Sequence, residues 1–353
     1  MRSVFRRTRA LPPDDDAVLL SPSRPSHDPR EVSLLEIAGL HVVYLRGNTR
    51  TLAVRGVDLR VPAGGAVALV GESGSGKSTV ALSAMRLINP PIGRIEAGSI
   101  HFDGTDLLDL EAKEMRRVLH EDIGYIPQDP MSALDPLCTV GRHVNETLTD
   151  RVPRPRRSRE IAALLESLGV MKASERLRNY PHEFSGGMNQ RVVIATALAR
   201  EPKLLIADEP TTALDVTTQL NILRLIDQRR RDRNLALLFV THDLSVARRL
   251  CHDVVVMYAG RIVEKGPIDT VMDRPLHPYT TALVAAVPRV TAARSRMRAI
   301  PGQPPTPSEV GGGCPFAPRC PLVEAKCREA DPHLERHGGV EVACWNATTE
   351  LAS

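Results

Sequence analysis

Long apolar segments are missing from this chain of 353 residues. A helix needs about 20 consecutive, mostly apolar residues to cross a bilayer, and no stretch of the sequence approaches that length. The sequence therefore predicts no transmembrane helix. The arginine-rich first residues are followed by prolines and aspartates instead of an apolar core, so we expect no secretory signal.

A large excess of one charge is also missing. The net charge is only +4, and the 46 lysines and arginines are scattered along the chain. Proteins that bind nucleic acid usually carry basic residues in a patch or stripe, so we expect no nucleic-acid partner. Hydrophobic residues make up 42% and charged residues 25% of the chain. These values are typical of a soluble globular protein with room for one large domain and an appendage.

A glycine-rich loop lies between an apolar strand pattern and a helix pattern. Residues 71–79, GESGSGKST, match the phosphate-binding P-loop pattern G-x-x-x-x-G-K-[S/T] at every required position. Ala66–Val70 is typical of a buried parallel strand, and Val80–Leu87 is typical of a helix. Glycines allow backbone N–H groups to face an anion, and the helix N-terminus adds partial positive charge. The loop therefore predicts binding of a nucleoside triphosphate.

The side chains of this loop have distinct expected roles. We expect Lys77 to reach the β- and γ-phosphates and the Ser78 hydroxyl to bind Mg²⁺. Tyr44 is a candidate to stack on the base, although a tyrosine in such a segment is more often a half-buried strand residue. The predicted nucleotide-binding residues are Tyr44, Gly71, Ser73, Gly74, Ser75, Gly76, Lys77, Ser78 and Thr79.

Polar residues follow three further apolar runs. Asp208 and Glu209 follow the first run. We expect the Asp208 carboxylate to hold Mg²⁺ and the Glu209 carboxylate to polarise an attacking water, although adjacent acids also occur in exposed turns. Gln128 follows a second run and is placed to reach a metal or a water. His242 follows a third run, where it is placed to sense the γ-phosphate. A lone glutamine or histidine in such a position is usually an ordinary loop residue.

A second serine–glycine turn opens a later helix pattern. Ser185, Gly186 and Gly187 precede a helical stretch that runs to Ala199. Serine at a helix start followed by glycines forms an anion cradle, but the same residues also form an ordinary N-cap.

The order of these motifs resembles that of the ATPase subunits of ABC transporters. The resemblance covers about residues 34–345. The matching segments are the Walker A loop at 71–79, Gln128 of the Q-loop, the signature Ser185–Gln190, Asp208 and Glu209 of Walker B, Asp215 of the D-loop and His242 of the H-loop. Phe184 stands where the signature usually has leucine, and Thr212 where the D-loop more often has serine; both are mild departures.

The resemblance implies a mechanism that uses ATP and Mg²⁺. Two such domains would face each other head to tail, so that the signature of one caps the ATP held by the other. The implied catalytic residues are Glu209, His242 and Gln128, and the implied Mg²⁺ ligands are Ser78, Gln128 and Asp208. The residues implied to contact the partner's ATP are Ser185, Gly186, Gly187 and Gln190, with Asp215 in the D-loop.

The resemblance also implies the fold. We expect an α/β protein with a P-loop NTPase (RecA-like) core, an antiparallel β subdomain and an α-helical subdomain, followed by a small Cys-rich C-terminal extension. The expected boundaries are a disordered tail at 1–31, an ABC ATPase domain at 32–270 with its helical subdomain at about 131–200, and the extension at 271–353. Apolar residues recur with helical spacing at Ile161, Leu164, Leu165 and Leu168.

The C-terminal segments resemble those of dipeptide and oligopeptide importer ATPases. The matching stretches are His277–Thr280, Ile300–Gly302 and Cys314–Pro321, and the P-loop and D-loop sequences resemble the D-type subunit. The implied partners are a second ABC ATPase subunit in a heterodimer, two transmembrane permease subunits and an extracytoplasmic peptide-binding protein, at the cytoplasmic face of the membrane. An importer of nickel or another small solute is the alternative. A soluble ABC ATPase that acts on nucleic acid is disfavoured by the single P-loop and the absence of sustained heptads.

Four of the six cysteines lie near the C-terminus. They are Cys314, Cys320, Cys327 and Cys344. Their spacing lacks the close C-x₂₋₄-C pair of most structural zinc sites, and a cytosolic protein should not depend on disulfides. Thiolates also hold [4Fe–4S] clusters, so the residues alone leave an iron–sulfur cluster, zinc and no metal open. The family resemblance favours a structural [4Fe–4S] cluster, with Zn²⁺ as the alternative.

Overall fold

The chain forms two compact units in the computed structural model. The model describes residues 33–47, 49–148, 151–211, 215–287, 300–306 and 309–347. The expected tail at 1–31 and the D-loop residue Thr212 lie outside these ranges. Ala112–Leu235 belong to one unit, here called the middle unit. The described residues within 33–111 and 236–347 form the other, here called the P-loop unit.

The P-loop unit begins with an antiparallel sheet. Its elements up to Glu111 are β1 (Ser33–Arg46), β2 (Thr49–Pro62), β3 (Ala66–Val70), α1 (Lys77–Ala84), β4 (Gly93–Phe102) and β5 (Thr105–Asp106). The sheet has the strand order β2-β1-β4-β5. Val57, Leu59 and Val61 alternate along β2 and are buried, because successive side chains of a strand point to opposite faces.

The middle unit is mostly helical. Its elements are α2 (Ala112–Glu121), β6 (Ile123–Ile126), α3 (Pro130–Ala133), α4 (Val140–Leu148), α5 (Arg154–Ser167), α6 (Ala173–Arg176), α7 (Gly186–Leu198), β7 (Leu204–Asp208) and α8 (Val216–Arg233). Strands β6 and β7 pair in parallel, and α7 packs against α3, α4 and α5. Helix α5 buries Ile161, Leu164 and Leu165, as their spacing predicts for an amphipathic helix.

Parallel strands form the core of the P-loop unit. The remaining elements are β8 (Ala236–Thr241), α9 (Leu244–Leu250), β9 (Asp253–Tyr258), β10 (Arg261–Pro267), α10 (Ile268–Asp273), α11 (Pro278–Ala285), α12 (Ala325–Glu329), β11 (Glu335–His337) and β12 (Val340–Val342). Strand β3 pairs in parallel with both β8 and β9. Every residue of β3 and β8 is buried, as expected for strands covered on both faces.

The C-terminal residues join the sheet of this unit. Strand β10 pairs antiparallel with β9 on one side and with β12 on the other, and β12 pairs with β11. The residues predicted as an extension therefore contribute two strands to the P-loop unit.

Helix α1 begins earlier than its apolar pattern predicts. The pattern predicts a helix at Val80–Leu87, whereas the observed helix spans Lys77–Ala84. The last residues of the P-loop already form its first turn, and polar residues there carry no apolar signal. At the other end, the N–H of Met85 donates to the Leu82 carbonyl and the N–H of Arg86 donates to the Ser83 carbonyl, which closes the helix. Among the described residues, no helix combines the length and apolarity needed to cross a membrane.

Candidate nucleotide site

The P-loop follows β3 and bends sharply into α1. Gly76 has a left-handed φ of 101°, and a Cβ atom there would lie 2.7 Å from the carbonyl oxygen of Ala53. At Gly71 a Cβ atom would lie 2.2 Å from the carbonyl oxygen of Met257. Both contacts are shorter than carbon and oxygen allow, so any larger residue would displace the loop. The glycines of the motif thus let the loop pass close to two neighbouring backbone segments.

Lys77 is folded back onto its own loop. Its side chain is buried, and Nζ donates to the carbonyl oxygens of Gly71 at 2.8 Å and Glu72 at 2.9 Å. The ammonium group therefore lies inside the loop, where an anion held by the loop would meet it. Ser75 Oγ is buried and has no hydrogen-bond partner among the described residues. Because a buried hydroxyl normally finds a partner, this atom fits a ligand with acceptor oxygens, such as a phosphate.

Tyr44 contacts the helix that follows the P-loop. Its hydroxyl lies 3.3 Å from Thr79 Oγ1, and its ring lies beside Gly93, where a Cβ atom would be 2.9 Å from the ring. The side chain is half-buried on β1. Stacking of Tyr44 on a nucleotide base stays a prediction.

Gln128 and Glu209 meet in the middle unit. Strand β7 ends at the buried Asp208, and Glu209 follows with a left-handed φ of 46°. A non-glycine residue rarely adopts this backbone conformation, and such residues cluster at functional sites. Gln128 Nε2 donates to Glu209 Oε2 at 3.2 Å. Burial and the Asp208 charge raise the pKa of Tyr125 to about 12, so the Tyr125 hydroxyl keeps its proton.

The signature turn presents an exposed helix N-terminus. Ser185 caps α7, its Oγ accepting from the N–H of Met188 at 3.4 Å. Ser185 and Gly186 are exposed, so the first N–H groups of this helix face outward. A helix N-terminus attracts anions through these groups and the helix dipole. Gln190 lies one turn further along and is buried.

His242 and the P-loop leave the sheet at the same edge. Val70, the last residue of β3, pairs with Thr241, the last residue of β8, and His242 follows directly. In an open α/β sheet, ligands bind at the carboxyl ends of the strands.

In the middle unit, Asp215 caps α8, and its Oδ1 accepts from the N–H of Thr218 at 3.0 Å. This backbone bond is the main cause that lowers the pKa of the Asp215 carboxyl.

Known proteins align with most of the chain. Residues 54–212 match the model described as ABC transporter, and residues 263–327 match the model described as oligopeptide/dipeptide transporter, C-terminal region. The chain is 43% identical over 328 residues to a probable peptide ABC transporter ATP-binding protein of Sinorhizobium fredii, covering 92% of this chain and 98% of the relative. It is 42% identical over 320 residues to the oligopeptide transport ATP-binding protein OppD of Salmonella typhimurium, covering 90% and 95%. The chain belongs to the ABC transporter ATPase family.

Solved structures support the same family fold. The ATP-binding cassette MJ0796, a dimer in a post-hydrolysis state with ADP and phosphate, matches with a TM-score of 0.60 and 27% identity. The match covers 66% of this chain and 98% of the cassette. The predicted ABC ATPase cassette, with its P-loop NTPase fold of mixed sheets and helices, is confirmed.

The four C-terminal cysteines line one small pocket of this ABC ATPase. Cys314, Cys320, Cys327 and Cys344 surround it together with Phe316 and other residues. Backbone N–H groups donate to the sulfurs of Cys320 and Cys344, each at 3.4 Å. Burial raises the pKa of the Cys314 thiol to about 11. Among the described residues, no three cysteine, histidine or acidic side chains are arranged to hold one metal ion. The predicted iron–sulfur or zinc site is therefore not formed in this geometry.

One contact at the P-loop leaves no signal in the sequence. Glu72 occupies a variable position of the Walker A motif, yet its carboxylate pairs with Arg319, 247 residues away. Arg319 lies in the Cys314–Pro321 stretch, and neither that resemblance nor any local periodicity links it to Glu72. Only the tertiary structure shows the pair.

Replacing Gly76 by alanine should disrupt the P-loop. The added Cβ would meet the Ala53 carbonyl oxygen at 2.7 Å in a backbone conformation that side chains disfavour. We expect affinity for a fluorescent ATP analogue to fall by roughly tenfold or more, as measured by titration. Gly312→Ala is the matched control, because a Cβ at Gly312 meets nothing within 4 Å. Unchanged ATP affinity in Gly76→Ala would contradict the assigned loop geometry.

Proposed function

We propose that this chain is the ATP-hydrolysing subunit of an importer that takes up dipeptides or oligopeptides. The main support is that one chain carries both the ABC transporter match and the oligopeptide/dipeptide transporter C-terminal match. Relatives that align with nearly their whole length are named for peptide transport. These names favour peptides over nickel or another small solute, and over a soluble ATPase that acts on nucleic acid.

The P-loop, Walker B and H-loop residues would act on one nucleotide. Lys77 would bind the β- and γ-phosphates, and the proposed Mg²⁺ ligands are Ser78, Gln128 and Asp208. The hydrogen bond from Gln128 to Glu209 supports a shared role in orienting the attacking water. In this proposal Glu209 is the general base and His242 senses the γ-phosphate. The other proposed nucleotide-binding residues are Tyr44, Gly71, Ser73, Gly74, Ser75, Gly76 and Thr79.

The signature residues would act on the ATP of a second subunit. The exposed N-terminus of α7 at Ser185 and Gly186 supports this, because it offers N–H donors to an anion from outside the chain. ATP would draw the two subunits together through charge-assisted hydrogen bonds, and hydrolysis would release them. The matching cassette was solved as a dimer, which supports the same arrangement here. Gly187 and Gln190 complete the proposed signature, and Asp215 belongs to the proposed D-loop.

The complete importer would contain further chains. We propose a heterodimer with a second ABC ATPase subunit, two membrane-spanning permease subunits, and an extracytoplasmic peptide-binding protein that delivers the cargo. This subunit would be peripheral at the cytoplasmic face of the membrane. The proposed division is an ABC ATPase domain at 32–270, with a helical subdomain at about 131–200, and an extension at 271–353.

Glu209→Gln should separate ATP binding from hydrolysis. Glutamine keeps the shape of the side chain but cannot accept a proton from water, so we expect phosphate release to fall by about 100-fold or more. ATP affinity should stay within about threefold of the wild type. Glu121→Gln, at an exposed position on α2, is the control and should hydrolyse ATP normally. Unchanged turnover in Glu209→Gln would remove this residue from the base role.

Uptake in the producing cells tests the cargo. Cells lacking this chain should lose uptake of labelled dipeptides or oligopeptides, and the wild-type gene should restore it while the Lys77→Ala variant does not. Lysine is needed because it neutralises the phosphate charge. Labelled Ni²⁺ uptake is measured in the same cells. Loss of nickel uptake with normal peptide uptake would favour the alternative cargo.

We further propose that Cys314, Cys320, Cys327 and Cys344 hold a [4Fe–4S] cluster, with Zn²⁺ as the alternative. Their shared pocket and the N–H bonds to two sulfurs support a thiolate site. Ligation would require the thiols to lose their protons and move closer together. The cluster would then tie three separate segments of the C-terminal region together.

Protein purified without oxygen tests this site. We expect visible absorption and about four iron and four sulfide per chain, both lost in Cys314→Ser. Cys138→Ser is the control, because Cys138 lies far along the sequence in the middle unit. Zinc found by metal analysis in a colourless protein would select the alternative, and a metal-free preparation would contradict both.

A further inference from the structure

Two residues of the C-terminal region form hydrogen bonds with Glu72, the second residue of the P-loop. These bonds involve its backbone nitrogen and both of its carboxylate oxygens. The backbone N–H of Glu72 donates to the Tyr279 hydroxyl at 2.8 Å. Arg319 donates to both carboxylate oxygens of Glu72, from Nη1 to Oε2 at 2.7 Å and from Nη2 to Oε1 at 3.0 Å. A two-pronged arginine–carboxylate pair is strong and fixes orientation as well as distance. Both the backbone and the side chain of Glu72 are therefore fixed.

Glu72 connects these contacts to the lysine of the site. Its carbonyl oxygen accepts from Lys77 Nζ at 2.9 Å, and the preceding residue, Gly71, supplies the other acceptor at 2.8 Å. A shift of Glu72 would therefore move one of the groups that orient the Lys77 ammonium. The loop N–H groups that would face phosphate lie in the same segment, so they would shift as well.

Arg319 is itself firmly held. Its side chain is only 4% exposed, and its guanidinium carbon lies 5.8 Å from the ring centre of Tyr258 and 5.9 Å from that of Phe316. Nε donates to the Pro301 carbonyl at 2.8 Å, and Nη1 also donates to the Tyr258 hydroxyl at 3.2 Å. A buried charge left without its partner is strongly unfavourable. The arginine therefore cannot leave Glu72 without a substantial cost.

Tyr279 is fixed at the start of α11. It is fully buried, and its ring centre lies 4.6 Å from that of Tyr258 and 5.5 Å from that of Phe316. Its N–H donates to Nδ1 of His277 at 3.0 Å. Glu264 on β10 accepts the N–H of His277 at 3.0 Å. A continuous series of hydrogen bonds thus connects the sheet to the P-loop through this tyrosine.

We propose that Arg319 and Tyr279 are positioning residues of the ATP site, so that nucleotide affinity depends on the C-terminal region. They act through Glu72, which lies in the loop proposed to bind ATP, and the inference rests on that nucleotide-site assignment. Arg319 lies between Cys314 and Cys320 in the sequence, within a short 3₁₀ turn at Ala317–Arg319. The folding of the cysteine segment therefore determines where the arginine sits.

Substitutions of the pair test the proposal in the full-length chain. Arg319→Gln and Glu72→Gln should each weaken binding of a fluorescent ATP analogue by about tenfold, since each breaks a charge-assisted contact. The double variant should be no weaker than the weaker-binding single variant, because both changes break one interaction. Arg319→Lys keeps the charge but loses the two-pronged geometry and should give an intermediate affinity.

Kinetics separate positioning from chemistry. In this proposal Arg319 acts through Glu72 and has no part in water activation, so the KM for ATP should rise while kcat at saturating ATP stays within about twofold. Tyr279→Phe removes only the hydroxyl and should raise KM by a smaller factor, about threefold. Arg328→Gln is the matched control, because Arg328 lies in the same region and is exposed; its KM should not change.

Two reference measurements keep the outcomes distinct. Thermal melting identifies variants that fail to fold; if Arg319→Gln does, Glu72→Gln and Tyr279→Phe decide the matter. Lys77→Ala should abolish binding, and if it binds ATP normally, the nucleotide-site assignment is wrong. If Lys77→Ala loses binding while Glu72→Gln and Tyr279→Phe keep wild-type affinity, only the positioning role is wrong. Effects of Arg319 and Glu72 that add independently in the double variant would also overturn it.

Discussion

Close backbone approach at the P-loop is the constraint on which the P-loop unit depends. A Cβ at Gly76 would lie 2.7 Å from the Ala53 carbonyl oxygen. The N–H of Gly260 donates to the Ser75 carbonyl at 2.9 Å. The loop is thus confined between β2 and the turn that joins β9 to β10. Within the confined loop, Lys77 Nζ donates to the carbonyl oxygens of Gly71 and Glu72. Confinement also keeps the N–H groups of a phosphate-binding loop aligned before the ligand binds.

The parallel strands explain why the functional residues recur at strand ends. Strands β3 and β8 run in the same direction and end in register at Val70 and Thr241. The P-loop and His242 therefore emerge at one edge of the sheet. In the middle unit, β6 and β7 pair in parallel as well, and Gln128 and Glu209 follow their ends and share a hydrogen bond. In each parallel pair, two polar segments thus follow neighbouring strand ends.

Local patterns made the strands and the loop predictable. Strand β3 and the residues of β7 that precede Asp208 are all apolar and buried, and that composition is visible in any short window of sequence. The apolar spacing in α5 likewise predicts Ile161, Leu164 and Leu165 on its buried face. The start of α1 was harder to predict, because Lys77 and Ser78 are polar and carry no apolar signal. Apolar periodicity therefore cannot locate the start of a helix whose first turn consists of polar motif residues.

Long-range polar contacts leave no local signal in the sequence. Glu72 and Arg319 are 247 residues apart, and their pairing was not predicted. Gln128 and Glu209 are 81 residues apart, and only the family resemblance implied that they share a site. A hydrogen bond between distant segments needs only compatible side chains, so it imposes no spacing or composition on either segment. At the predicted metal site, by contrast, a clear sequence pattern is present but the described side chains do not form the site. Four cysteines make a conspicuous pattern, but their pattern does not fix how closely the sulfurs approach in the fold.

The C-terminal region is physically part of the unit that carries the P-loop. Strand β12 pairs with β10, with Val342 opposite Glu264, and burial raises the pKa of the Glu264 carboxyl. Such a buried acid is tolerated because the N–H groups of Leu276 and His277 donate to it. Those N–H groups lie at the entrance to α11, so the acid orients the helix that carries Tyr279. Sheet pairing and buried hydrogen bonds thus connect the P-loop to residues that lie about 200 to 250 positions further along the chain.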